Sequence, residues 1–310
     1  MSKIQPPKVG DHLILSFPSQ HVLQLTLNRP KQLNAMTDAL ESDLSRVLDW
    51  FETEASLWVV IVTGRGRGFC AGQDLKEWLE KKKQGGEGAV FEIDASTHLP
   101  IQSQSEIRNV IQRVESGGFG SISTRKSSKP FIAAIDGVCM GGGMEIMLNC
   151  DLVVASSRST FALPEVARGV VAAQGGIPRL SQICGHQKAS ELVLTGRPIQ
   201  ASEASEKFNL INLLVPISDS VSVDEGQRLI ELKALELAQS LTLNSPDALM
   251  VTKEALVLCK GELDQVTKKS YSSQRSRHLY LGSNVQEGLL AFKEKRKPKW
   301  SDPITLKSKL

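Results

Sequence analysis

The stretch from Ile132 to Ser156, IAAIDGVCMGGGMEIMLNCDLVVAS, sets the frame for the whole chain. It opens and closes on short β-branched runs, within PFIAAIDG (130–137) and DLVVAS (151–156), that read as buried strands. Between them, Gly141, Gly142 and Gly143 begin an apolar run of helical character, with Glu145 one turn inside it. Burying an ionised carboxylate without partners is costly, because desolvation penalises the charged form. A glutamate in that position needs a reason.

Working outward, the same strand, turn and helix rhythm recurs. Residues 11–28, DHLILSFPSQHVLQLTLN, alternate apolar and polar around Pro18-Ser19 and read as a β-hairpin. After Asn28-Arg29-Pro30, the residues Met36, Leu40, Leu44, Val47, Leu48 and Phe51 fall at helical spacing, with Thr37 or Asp38 available as N-cap. LWVVIVTG (57–64) is a buried strand turned outward by Gly64 to Gly68, and DLKEWLEKKK starts a helix. The segment 83–128 is richer in Gly, Ser and Gln than its flanks, and only SEIRNVIQRV within it has helical periodicity; the rest is a long connection of the kind that is functional or mobile. STFALPE leads into a loop, and beyond about residue 187 the chain is mostly helical. Strands alternating with helices predict an α/β fold with parallel pairing.

Composition narrows the function. The 310 residues carry a net charge of +3, too small to imply nucleic acid by itself. No apolar run approaches the roughly 18 residues of a membrane span, and the first residues lack an apolar signal core. Cysteines 70, 139, 150, 184 and 259 are odd in number and widely spaced, which predicts reduced thiols in place of disulfides or a zinc site. There is no G-x-S-x-G elbow, no i, i+4 histidine pair, and GRGRG (64–68) fails the dinucleotide and Walker patterns. The basic cluster FKEKRKPKW holds Lys293, Lys295, Arg296, Lys297 and Lys299 and reads first as a solvated helix end. Ser308-Lys309-Leu310 spells the address for peroxisomal import.

Two segments are alike. GFCAGQDL (68–75) and GVCMGGGMEI (137–146) each follow a buried strand and enter a helix through small residues. Such a loop leaves backbone N–H groups oriented toward developing negative charge, and two facing loops make an oxyanion hole. Glycines there also serve simple close packing of helix on strand.

These two loops, with FALPEVARGVVAAQGG (161–176), NRPKQLNAM (28–36), TGRPIQASEASEKFNLINLLVP (195–216) and AFKEKRK (291–297), resemble the enoyl-CoA hydratase/isomerase family, the crotonases, over nearly the whole chain. The resemblance implies a crotonase-like spiral of repeated β-β-α units with a helical C-terminal region: a core over 1–215 with 83–128 as a long variable segment, a helical region over 216–300 for oligomerisation and CoA contact, and a tail over 301–310. It implies an oxyanion hole from the N–H groups of Ala71 and Gly142, and a catalytic pair in which Glu145 deprotonates water for attack at C3 while Glu165 protonates C2. Ala71, Gly72, Gln73, Asp74 and Gly142 would line the CoA path, and Lys295 would approach the phosphorylated ribose. The partners it implies are an acyl-CoA thioester, other copies in a trimer or hexamer, and the import receptor, with no metal and no cofactor beyond the CoA of the substrate. The FALPEV wording also resembles the carnitinyl-CoA dehydratase branch.

Both glutamates together favour a hydratase over an isomerase, which shuttles a proton through one carboxylate; an RNA-binding or scaffold protein on the same body is the non-enzymatic alternative. The pathway is fatty-acid β-oxidation or secondary metabolism. Ala172 and Ala173 stand where many hydratases have proline and glycine, which, with the long 83–128 segment, points to a specialised acyl group.

Overall fold

Each β-β-α unit divides its two strands between two sheets. The computed structural model describes residues 4–84, 93–94, 99–100, 114–258 and 283–298. A six-stranded sheet has the order β1-β2-β3-β7-β9-β12, built from Leu13–Ser19, Val22–Leu27, Val59–Gly64, Phe131–Ile135, Leu152–Ser156 and Leu213–Val215. A four-stranded sheet has the order β11-β10-β8-β4, built from Ile199–Gln200, Thr160–Ala162, Val138–Met140 and Gly68–Cys70. Thus β3 and β4, β7 and β8, and β9 and β10 are successive pairs that each give one strand to either sheet. The two-residue strands β5 (Ile93–Asp94) and β6 (Leu99–Pro100) pair separately.

Strands β2, β3, β7, β9 and β12 run parallel, and the side chains of β2, β3 and β7 are buried along their length. That explains their unbroken apolar reading, since a parallel sheet is covered on both faces. One face packs on α1 (Asp38–Thr53) through Leu40, Leu44, Val47, Leu48 and Phe51. Thr37 caps α1, its hydroxyl accepting from Leu40 N at 3.3 Å. The other face packs on α7 (Val223–Thr242), whose Ile230, Ala234 and Ala238 meet Val59, Ile61, Ile132 and Val154. Small side chains on α7 let it lie close to the sheet, so the helical region begins as a wall of the core.

The remaining helices are α2 (Leu75–Gln84), α3 (Gly142–Asn149), α4 (Gly176–Cys184), α5 (His186–Thr195), α6 (Ala201–Glu206), α8 (Pro246–Leu258) and α9 (Ser283–Lys293). Buried Lys253 on α8 pairs with Asp151, which also accepts from Phe131 N at 2.8 Å, fixing that helix to the start of β7. No described helix is long and apolar enough to cross a membrane.

Two local expectations need correction. The hairpin turn is not at Pro18-Ser19: β1 continues to Ser19 with an irregular register, and the turn falls at Gln20-His21, where His21 has φ 66°. Proline is tolerated there because β1 is an edge strand. STFALPE forms β10 and then a 3₁₀ turn, Pro164–Arg168. SEIRNVIQRV, apart from Val114, the tail with Ser308-Lys309-Leu310, and Cys259 lie outside the described residues; among the described residues, Cys70, Cys139, Cys150 and Cys184 form no disulfide.

Candidate active site

Strands β4 and β8 are parallel neighbours, with Cys70 opposite Cys139, so the loops that leave their ends emerge side by side. The glycines permit the contact. A β-carbon on Gly143 would stand 2.2 Å from Cys70 O, and one on Gly142 2.5 Å from the Phe119 ring. Gly72 has φ 91°, and a β-carbon there would stand 3.3 Å from Gly142 N. The close-packing reading of these glycines therefore holds as well.

Which N–H groups remain free follows from the hydrogen bonds. Ala71 N donates to Leu33 O at 3.0 Å, Gly72 N to Cys70 Sγ at 3.4 Å, and Asp74 N to Met36 O at 2.9 Å. Ala71 is therefore corrected as an oxyanion donor, because its N–H is already spent on Leu33. Gln73 N has no acceptor among the described residues, and its side chain is drawn aside, Nε2 donating to Met36 O at 3.2 Å. On the second loop, Gly141 N donates to Ala162 O at 2.9 Å, while Gly142 N, the first of α3, has no acceptor among the described residues. Gln73 N on the first loop and Gly142 N on the second are thus both left without an acceptor among the described residues.

Glu145 is 4% exposed. Its Oε1 accepts from Gln174 N at 2.9 Å and Gly176 N at 3.0 Å, which leaves Oε2 without a protein partner among the described residues. Burial raises its pKa to about 7, opposed by those two N–H groups and by the charge of Arg179. Glu165 stands on the 3₁₀ turn after β10, opened by Pro164 and closed by Gly169 in the left-handed region. Its Oε1 lies 3.2 Å from where a β-carbon on Gly141 would be, and its Oε2 is buried with no hydrogen-bond partner. Burial, and next the charge of Glu145, raise its pKa to about 8, with Arg168 opposing. Two buried carboxyls that feel each other, beside two free N–H donors, form a site able to hold one proton between them and to bind an oxyanion.

The Enoyl-CoA hydratase/isomerase family profile matches residues 18–107 and 120–303. This chain belongs to the enoyl-CoA hydratase/isomerase family. The interruption of the match at 108–119 falls inside the long 83–128 connection. Among relatives, the chain is 41% identical to mevalonyl-coenzyme A hydratase of Beauveria bassiana over 96% of its own length and 97% of the other's. It is 38% identical to mevalonyl-coenzyme A hydratase of Aspergillus fumigatus, over 93% and 94%. Among solved structures, carnitinyl-CoA hydratase from Mycobacterium avium superposes with a TM-score of 0.73 at 29% identity, covering 94% of this chain and 99% of that one.

Within the enoyl-CoA hydratase/isomerase scaffold, the other expected residues fall as follows. The Asp74 carboxylate pairs with Arg29 at 3.0 Å and accepts from Lys76 N and Glu77 N at the start of α2, so its side chain serves the helix. Lys295, exposed and with φ 54°, follows α9. That helix packs on the Glu165 turn of its own chain, with Arg168 5.3 Å above the Phe292 ring.

Sequence reasoning missed two residues. Asn34, fully buried, accepts from Arg29 N at 2.7 Å and donates to Arg65 O at 3.0 Å and Gly68 O at 2.7 Å, pinning the loop that feeds β4. Gln174 gives Glu145 a backbone donor. Both stand inside quoted motifs, Asn34 in NRPKQLNAM and Gln174 in FALPEVARGVVAAQGG, but no periodicity or spacing distinguished either from its neighbours.

Proposed function

We propose that this enzyme catalyses the reversible addition of water to a 2-enoyl-CoA thioester, and that its physiological acyl group is the branched, hydroxylated chain of mevalonyl-CoA. The observation that carries the hydratase reading is the pair of buried glutamates with open oxygens, Glu145 Oε2 and Glu165 Oε2, beside the two glycine loops. The acyl-group reading is supported by the names of the two relatives at 41% and 38% identity.

In this mechanism Gln73 N and Gly142 N donate to the thioester oxygen, which gains charge as the enolate forms, so the stabilisation is selective for the transition state. Glu145 is the base. Two N–H bonds and Arg179 favour its ionised form and orient it, and Oε2 takes the proton of the water that attacks C3. Glu165 is the acid, held protonated by burial and by the charge of Glu145, and gives its proton to C2. Water loses one proton to Glu145 and its hydroxide bonds to C3; transfer of that proton to Glu165 restores the pair. Run backward, the same groups eliminate the C3 hydroxyl of a 3-hydroxyacyl-CoA. A Brønsted pair and two dipoles complete the reaction without a further cofactor.

The same reading includes a homotrimer or hexamer, CoA ribose contact by Lys295, and peroxisomal import through Ser308-Lys309-Leu310, tested by a fluorescent fusion with and without those residues. The decisive experiment is a panel of enoyl-CoA and 3-hydroxyacyl-CoA thioesters followed at the conjugated-thioester absorbance. Turnover of 3-enoyl-CoA with no hydration of any 2-enoyl-CoA would replace this reading with an isomerase.

A further inference from the structure

We infer that Gln174 determines acyl-group specificity, its side-chain amide binding a hydroxyl at the far end of the acyl chain. The inference deepens the proposed function and rests on its reading of a hydroxylated acyl group.

Gln174 N donates to Glu145 Oε1 at 2.9 Å, which places the residue in the turn that wraps the base. Its side-chain Oε1 is buried and has no hydrogen-bond partner. A buried amide oxygen left unpaired costs free energy, so such an atom marks either a defect or a place kept for a ligand. The surroundings favour the ligand. The next residues are Gly175, with φ 102°, and Gly176, whose β-carbon would stand 3.0 Å from Glu145 Oε1 and 3.4 Å from the Ala172 β-carbon. This turn is thus in contact with the carboxylate; its residues beside Gln174 are small, and the Arg179 guanidinium packs against it where a β-carbon on Gly175 would stand.

The chemistry matches an acyl chain with a polar end. With C3 of the thioester at Glu145 Oε2, the C5 hydroxyl of a mevalonyl chain lies two carbons beyond the reacting atom, within the span of a residue adjacent to the base. A hydroxyl brought there from water must recover its hydrogen bonds. An amide offers both an acceptor and a donor to a hydroxyl. A plain alkyl chain offers neither, and would leave the amide unpaired; a site built to bond a hydroxyl rejects the analogue that lacks it.

The test compares kcat/KM for 5-hydroxy-3-methylpent-2-enoyl-CoA and for 3-methylpent-2-enoyl-CoA, in the wild-type enzyme and in Gln174→Leu and Gln174→Met. Reading the ratio of the two substrates cancels any general loss caused through the Glu145 turn. The wild-type ratio favours the hydroxylated substrate, and in both variants that preference falls about 10- to 100-fold. Gln174→Asn, which keeps an amide on a shorter stem, retains more of the preference than Gln174→Leu. Equal losses on both substrates, or no wild-type preference, overturn the inference while leaving the hydratase standing. If the wild type hydrates crotonyl-CoA but neither branched substrate, the acyl-group reading itself fails, and the inference with it.

Discussion

The N–H of Gly176 donates to Glu145 Oε1 at 3.0 Å, and a β-carbon on Gly176 would stand 3.0 Å from that same oxygen. The residue that orients the base therefore does so only because it has no side chain. Gly176→Ala displaces the carboxylate by several tenths of an ångström, and misplacement of a catalytic group is expensive. We expect kcat to fall about 10- to 100-fold, with the melting temperature changed little by comparison. A variant of near wild-type kcat would show that the carboxylate has room for the added methyl and that the missing side chain is not what positions Glu145.

Removal of either titrating carboxyl is more severe. Glu145→Gln and Glu165→Gln each lower kcat about 10²- to 10⁴-fold, the usual contribution of a positioned acid or base. The two effects are not additive in the double variant, because the glutamates act on one proton cycle. Full additivity in steady-state kinetics would argue for independent roles.

The same substitution has an opposite effect on stability. Glu165 has its pKa raised from 4.5 to about 8 in the folded protein. Between those values the unfolded chain binds fewer protons than the folded one, so stability falls as pH rises through the window and levels off above it. Glu165→Gln is free of that loss. Its melting temperature should exceed that of wild type at pH 8, with the gap closing toward pH 4; a gap independent of pH sinks the assignment of a buried, proton-holding carboxyl.

The proposed oxyanion donor can be tested by removing its N–H. Gln73→Pro eliminates the free N–H, whereas Gln73→Ala keeps it and loses only the side-chain bond to Met36 O. The proline variant should lose about 10²- to 10³-fold in kcat, the cost of one oxyanion donor, and the alanine variant far less. Equal losses in the two variants would return attention to the side chain.

Asn34→Ala leaves Arg29 N, Arg65 O and Gly68 O without their side-chain partner in a fully buried position. A destabilisation of about 2–4 kcal/mol follows from orphaned groups of this kind, measurable by urea unfolding. A value near zero would mean that water replaces the amide.

The strands and helices of the core were legible because their residues obey one period at a time: 2 or unbroken for β2, β3, β7 and β9, and 3.6 for α1 with Thr37 at its head. The short strands β4, β8 and β10 were not, since three residues carry no period, and so the second sheet is invisible in the sequence although the loops that follow β4 and β8 are not. The glutamates could be named from their motifs. The donor could not: whether Ala71 or Gln73 presents a free N–H depends on where Leu33 O sits, and Leu33 itself has φ 49° in a turn held by Asn34. Hydrogen-bond bookkeeping of that kind exists only in three dimensions.

Gly142 and Glu145 share the first turn of α3, three residues apart. A helix rises about 1.5 Å per residue, so the backbone separation between Gly142, the proposed oxyanion donor, and Glu145, the proposed base, is a fixed length, set by helix pitch and indifferent to what the acyl chain is. In the turn at 170–176, by contrast, Gln174 meets Glu145 through its backbone N–H, so its side chain can change without altering that length, whereas Gly176 has no such freedom. A scaffold divided in this way can be retuned from one thioester to another at the turn alone, keeping a constant ruler for the chemistry.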